Sequence, residues 1–125
     1  HDFSISREGV DFTSYILDEK NAFLLICYNI EKTSLSQQNA INEFYSQCQA
    51  SGISFYALCA SSDDNIAQFK AKNDVAYPFY FTDETTLKTM IRSNPGLMLL
   101  SQGTIKGKWH FNDFPMMQDL ENLID

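Results

Sequence analysis

Two apolar runs, the continuous Ala22-Phe23-Leu24-Leu25-Ile26-Cys27-Tyr28 and the predominantly apolar Ile53-Ser54-Phe55-Tyr56-Ala57-Leu58-Cys59-Ala60, limit what this chain can fold into. A strand with one wet face alternates apolar and polar residues. A run with little alternation suits burial on both faces, as in a parallel sheet covered by helices. Between the runs, Ile41, Phe44, Tyr45 and Cys48 recur at i, i+3, i+4 and i+7, which predicts an amphipathic helix reaching about Ser51. Gly52 supplies its stop. Ser34 and Gln37, three residues apart, predict a capping box at its start. Strand, crossover helix and strand in this order make a right-handed parallel unit.

The remaining elements follow from the same signals. Phe3, Ser4 and Ile5 predict a short edge strand, and Gly9 a break. The Phe12, Tyr15, Ile16 spacing predicts a helical turn within residues 11–17. Ser61-Ser62-Asp63-Asp64 caps a second helix ending near Asn73, with Ile66 and Phe69 inward. Residues 77–81 are a short extended piece, after which Thr82 or Asp83 caps a helix running to about Arg92. Asn94 precedes a proline and cannot continue that helix. The Pro95-Gly96 turn feeds an apolar strand over residues 97–100. Gln102-Gly103 reverses the chain, and residues 104–109 return as the second arm of a hairpin. A last helix is expected, capped by Asn112 or Asp113, with Pro115 in its first turn and Met116, Met117, Leu120, Leu123 and Ile124 facing the core.

At 125 residues the chain is expected to be one domain, residues 1–125, and its 44% hydrophobic content with ten Phe and six Tyr is enough for one substantial core. The net charge of −7 argues against a nucleic-acid partner, which needs clustered Lys and Arg, and against a polybasic membrane patch. No apolar run approaches the ~18–20 residues of a spanning helix. The sequence begins with His1 and not with Met, so it is expected to be a piece of a longer protein. No cofactor or metal is implied. Cys27, Cys48 and Cys59 form neither a Cys-x-x-Cys pair nor a zinc knuckle, and His110 with Asp113 offers too few ligands.

The order of strand, helix, strand, helix, helix, proline turn, antiparallel hairpin and helix resembles the thioredoxin-like fold in its TlpA-like variety. The resemblance covers most of the chain from about Ala22 to Ile124, and implies a three-layer α/β/α sandwich with a mixed central sheet. Tyr77-Pro78, Pro95 and Gly103 sit where the family places an aromatic-proline pair, a cis-proline facing the active site and a hairpin glycine. A cis Asn94-Pro95 bond is therefore expected. It would leave the backbone of Asn94 facing the groove, where an extended peptide could pair with it as an added strand. The family's Cys-x-x-Cys stands at the start of the first long helix, where free amides and the helix dipole stabilise a thiolate and a second cysteine resolves the mixed disulfide. Glu31, Lys32, Thr33 and Ser34 occupy that place here, and both sulfurs are missing.

A narrower similarity joins Thr82-Asp83-Glu84-Thr85-Thr86-Leu87-Lys88-Thr89-Met90-Ile91-Arg92-Ser93-Asn94-Pro95-Gly96-Leu97, with Gly103-Thr104-Ile105 and Lys108-Trp109, to the soluble C-terminal domain of DoxX-type membrane proteins of Bacteroidetes. It implies a membrane domain in the same parent chain, ahead of His1, and a place at the cell envelope on the periplasmic side of the inner membrane.

Two functions are then open. One is a non-catalytic module whose groove, built from Glu31, Lys32, Thr33, Ser34, Asn94 and Pro95, holds an extended peptide or a protein partner. The other is a redox protein that uses a lone thiol, Cys27 or Cys59. These two end the paired apolar runs and read first as small buried hydrophobes, as does Cys48 on its helix. A bridge between adjacent parallel strands needs Cα separations of about 4.4–6.8 Å and converging Cβ vectors.

Overall fold

The computed structural model describes residues 3–124, so His1, on which the expectation of a preceding segment rests, lies outside the described residues. The strands are β1 (Ser6–Arg7), β2 (Val10–Asp11), β3 (Ala22–Cys27), β4 (Ser54–Cys59), β5 (Phe79–Phe81), β6 (Gly96–Ser101) and β7 (Thr104–His110). The helices are α1 (Thr13–Leu17), α2 (Gln38–Ser51), α3 (Asp63–Asn73) and α4 (Glu84–Met90). The seven strands form one mixed sheet in the order β2-β1-β5-β4-β3-β6-β7.

β3 is the centre of that sheet. It pairs parallel with β4, from Ala22↔Ser54 to Cys27↔Cys59, and antiparallel with β6, from Ala22↔Leu100 to Ile26↔Gly96. All six of its residues are buried. Successive side chains point to opposite faces, so Phe23, Leu25 and Cys27 enter one core with Ile41, Phe44 and Cys48 of α2. Ala22, Leu24 and Ile26 enter the other with Ile16 and Leu17 of α1 and Leu87 of α4. Ile66 and Phe69 bring α3 onto the α2 side. The result is a helix layer on each face of a mixed sheet, as expected.

Local chemistry sets the boundaries. α2 ends on Gly52 at φ 70, a left-handed backbone that glycine adopts freely. Ser62 caps α3 and Asp83 caps α4, each accepting a backbone N–H two or three residues into the helix. The β6–β7 reversal uses Gln102 and Gly103, both at positive φ, which matches the twist of a two-residue hairpin. The Asn94-Pro95 bond is cis, and Trp109 lies on the antiparallel side, opposite Leu97.

Three expectations are corrected. The first strand is not at residues 3–5 but at Ser6–Arg7, and the sheet edge is Val10–Asp11, paired with it across a Glu8-Gly9 turn in which both residues have positive φ. Ile5 is instead fully buried beneath the sheet edge. The capping box of Ser34 and Gln37 does not form: α2 starts at Gln38 with Gln37 as an N-cap that makes no side-chain bond. The last helix is replaced by two 3-10 turns, Phe111–Asp113 and Met117–Leu120. Phe114 and Met116, on either side of Pro115, are extended, because the residue before a proline is pushed out of the helical region. Too few residues then remain to offset the cost of nucleating an α-helix. Leu120 still reaches the core and Met117, Leu123 and Ile124 pack against it, but Met116 is exposed.

Beyond the β1–β5 pairing, the Thr13 hydroxyl links the N-terminal segment to α1 and to β2. Thr13 Oγ1 accepts the N–H of Ile5 at 2.8 Å and donates to Asp11 Oδ1 at 2.5 Å. Asp11 also accepts the Thr13 N–H at 2.9 Å. The Thr13 hydroxyl, and after it the Thr13 amide, hold the exposed Asp11 carboxyl below its ordinary pKa. Its folded pKa is depressed, so this contribution is present at neutral pH and is lost as the pH falls through the folded pKa. Thr13→Val keeps the shape and removes the hydroxyl, which leaves a buried N–H at Ile5 unpaired. It is expected to lower stability by about 1–3 kcal/mol, read from the urea midpoint at constant m.

Candidate functional site

The segment that leaves β3 is organised by Asn29. Its side-chain oxygen accepts the N–H groups of Glu31 at 3.0 Å and Lys32 at 3.2 Å, which folds the loop back on itself. Its carbonyl accepts the Asn94 side-chain amide at 2.8 Å. A second tie is main chain to main chain: the Ser34 N–H donates to the Asn94 carbonyl at 2.8 Å. On the opposite flank, the Ile30 N–H donates to Ser61 Oγ at 3.2 Å, and the Asn65 amide donates to Glu31 Oε1 at 2.7 Å. The loop is thus strapped between the proline turn and the start of α3.

The turn itself is fixed by Ser93, which is buried. Its hydroxyl donates to the Pro95 carbonyl and accepts the N–H of Phe111 at 3.0 Å, joining the turn to the end of β7.

Of the six residues the sequence singles out, Ser34 and Asn94 are in direct contact. Glu31 faces α3, and Lys32 is exposed. Thr33 is half-buried beside Cys27, and Pro95 is buried at the start of β6. Two points differ from expectation. The Asn94 carbonyl is already occupied by the Ser34 amide, so an added peptide strand would have to displace it. Ser34 also precedes α2, which starts at Gln38, by four residues, so loop 31–34 does not sit on the free amides of the helix start. The positioning residues Asn29, Ser61 and Asn65 are not evident as a set from the sequence, although an Asn two residues before Glu31 is a turn signal in its own right.

Between the strap and α3 lies a cleft of about 300 Å³, lined among others by Glu31, Leu35, Asn65, Phe69 and Lys72. Leu35 is 55% exposed, a large apolar side chain presented to solvent beside polar groups that could orient a ligand.

No sulfur stands at this surface. Cys27, Cys48 and Cys59 are all free thiols, each at most 1% exposed. Burial pushes the Cys27 thiol far above its ordinary range, the neighbouring Cys59 adds to the shift, and the Thr33 hydroxyl opposes it. Burial alone pushes Cys48 up to about 12. Such thiols are protonated at neutral pH and are poor nucleophiles. Among the described residues, no group of three His, Cys, Asp or Glu side chains could hold a metal ion. None of the helices among those residues is long and apolar enough to cross a membrane.

No family model and no curated protein sequence matches this chain. Solved structures do match. A thioredoxin-like protein from Aeropyrum pernix superposes with a TM-score of 0.70 at 11% identity, over 97% of this chain and 86% of that one. The thioredoxin domain of a thiol-disulfide oxidoreductase from Bacteroides vulgatus gives 0.70 at 11% identity, over 98% and 92%. A secreted disulfide oxidoreductase of Mycobacterium tuberculosis, described as homologous to E. coli DsbE, gives 0.63 at 15% identity, over 97% and 92%. The chain therefore has a thioredoxin-like fold. At these identities the likeness speaks of the fold alone.

The shift of Cys48 from 9.0 to about 12 sets an expectation for its reactivity. Iodoacetamide should label Cys48 in the native protein at least roughly a hundredfold more slowly than in the unfolded chain, because each pKa unit removes tenfold of the thiolate. Peptide mapping of a labelling time course at neutral pH reads this directly. Fast native labelling would contradict the burial argument.

Proposed function

We propose that this domain is a thioredoxin-like interaction module that binds a peptide or protein partner and catalyses no disulfide exchange on a protein substrate. The observation that carries this reading is the surface of loop 31–34. It presents Glu31, Lys32, Thr33 and Ser34 where the sequence resemblance places the family's two cysteines, and a carboxylate, an amine and two hydroxyls cannot exchange disulfides. The binding surface proposed is the strap, the Asn94-Pro95 turn and the adjoining cleft beside α3, with Leu35 as its apolar contact. The alternative, a redox protein acting on substrate through a lone Cys27 or Cys59, needs a thiol that a substrate can reach. Each of these is 1% exposed.

The expected outcome in an insulin-reduction assay with dithiothreitol is precipitation at the uncatalysed rate. Turnover well above background would overturn the non-catalytic reading. In the same preparation, selection from a random-peptide library should enrich binders that lose affinity to Leu35→Asp and keep it for the exposed Glu121→Gln. Enrichment indifferent to Leu35→Asp would move the binding surface elsewhere.

We propose further that the domain is the soluble C-terminal part of a DoxX-type membrane protein, held at the periplasmic side of the inner membrane by a membrane domain in the same parent chain. The support is the residue likeness over residues 82–97 and the hairpin positions 103–105, 108 and 109. The parent chain, expressed whole, should sediment with membranes and expose this domain to protease added to spheroplasts. A parent chain found in the soluble fraction would remove the proposal.

A further inference from the structure

Cys27 and Cys59 are the last residues of β3 and β4, and they stand directly opposite each other in the parallel register. Both belong to the core on the α2 face, so they project from the same side of the sheet. Neighbouring strands lie about 4.7–4.9 Å apart. That falls within the Cα separation of about 4.4–6.8 Å that a disulfide spans. Cys27 lies past the last β6 pair and is followed by loop, whereas Cys59 is held opposite Phe81 of β5 and its carbonyl accepts the Thr82 N–H at 3.2 Å, so the adjustment that brings the Cβ vectors together falls on Cys27. Cys48 cannot compete for either partner. It lies in the last turn of α2, where its carbonyl accepts the Ile53 N–H just before β4 begins, at the other end of the strands.

Access comes from the side of β5. Cys59 lines a cleft of about 230 Å³ together with Ser61 and Phe79, and its sulfur accepts the Ser61 N–H at 3.4 Å. Cys27 lies deeper, beneath Thr33.

We propose that Cys27 and Cys59 are a latent dithiol that closes to a cross-strand disulfide by exchange with a small-molecule disulfide. Cys59 loses its proton to water in the cleft, and its sulfur attacks one sulfur of the small disulfide. The S–S bond of that molecule breaks, and one small thiol leaves, taking up a proton. The Cys27 sulfur, deprotonated in turn, attacks Cys59 Sγ, forms the Cys27–Cys59 bond and expels the second small thiol. Two protein thiols are oxidised and one small disulfide is reduced to two thiols. The proposal does not rest on the interaction-module reading. A staple of this kind turns over no protein substrate, because both sulfurs lie beneath the surface.

The test uses the whole domain, folded, equilibrated with oxidised glutathione at a series of ratios to the reduced form. The protein is then unfolded in acid, alkylated and mapped by mass spectrometry, with circular dichroism of parallel samples to show that the fold persists. Titratable thiols should fall from three to one, the mass should drop by two hydrogens, and a Cys27–Cys59 linked peptide should appear with Cys48 alkylated. Cys48→Ala should leave the change intact, and Cys59→Ser should abolish it. Three thiols still free at the most oxidising ratio, a bridge that includes Cys48, or a glutathione adduct that persists on Cys59 would each overturn the proposal. Because the mapping is done on the unsubstituted chain, the result stands even where a cysteine variant folds poorly.

Discussion

The burial of β3 on both faces is the constraint on which everything else depends. Six consecutive residues of this strand are buried. A backbone so placed must satisfy its N–H and C=O groups within the sheet, and β4 and β6 do this on either side. Its side chains must meet apolar partners above and below, which requires a helix layer on each face. The crossover α2 and the helix α4, which leads back toward β6, are those layers. The strand's C-terminal end opens into the loop that carries the candidate site, so the site inherits its position from the best-packed element of the molecule.

The sequence made the strands and their order legible because the signals are local. A continuous apolar run, a Gly-bearing reversal at Gln102-Gly103 and the Ser62 and Asp83 caps each speak within a few residues. What it hid were choices decided between two plausible local answers. Ser34 and Gln37 have the spacing of a capping box, yet Ser34 gives its amide to Asn94, sixty positions away, and the helix waits until Gln38. A backbone-to-backbone tie of that kind leaves no mark on residue identity. The apolar spacing of Met116, Met117 and Leu120 suggests a helix, but Pro115 and its extended neighbours divide the segment into turns. The register of β3 against β4 is also not written locally. It is this register, set by how α2 spans the sheet, that places Cys27 opposite Cys59.

The distribution of sulfur is the chemical signature of the domain. Here the loop 31–34 surface is hydrogen-bonded and free of sulfur, all three cysteines are buried, and burial holds Cys27 and Cys48 in the neutral form. The two features are consistent with each other: the loop carries no thiol, and all three cysteines are buried.

The Ser34–Asn94 bond carries a consequence for sequence tolerance. Because both partners are main-chain atoms, this bond asks only that residue 34 not be proline, while the Ser34 hydroxyl separately accepts the Ser36 N–H at 3.3 Å. The anchoring side chains are elsewhere, at Asn29, Ser61 and Asn65. The fold therefore places little demand on the chemistry displayed at residues 32 and 34. Those positions are free to drift toward new specificities while the scaffold beneath them stays fixed.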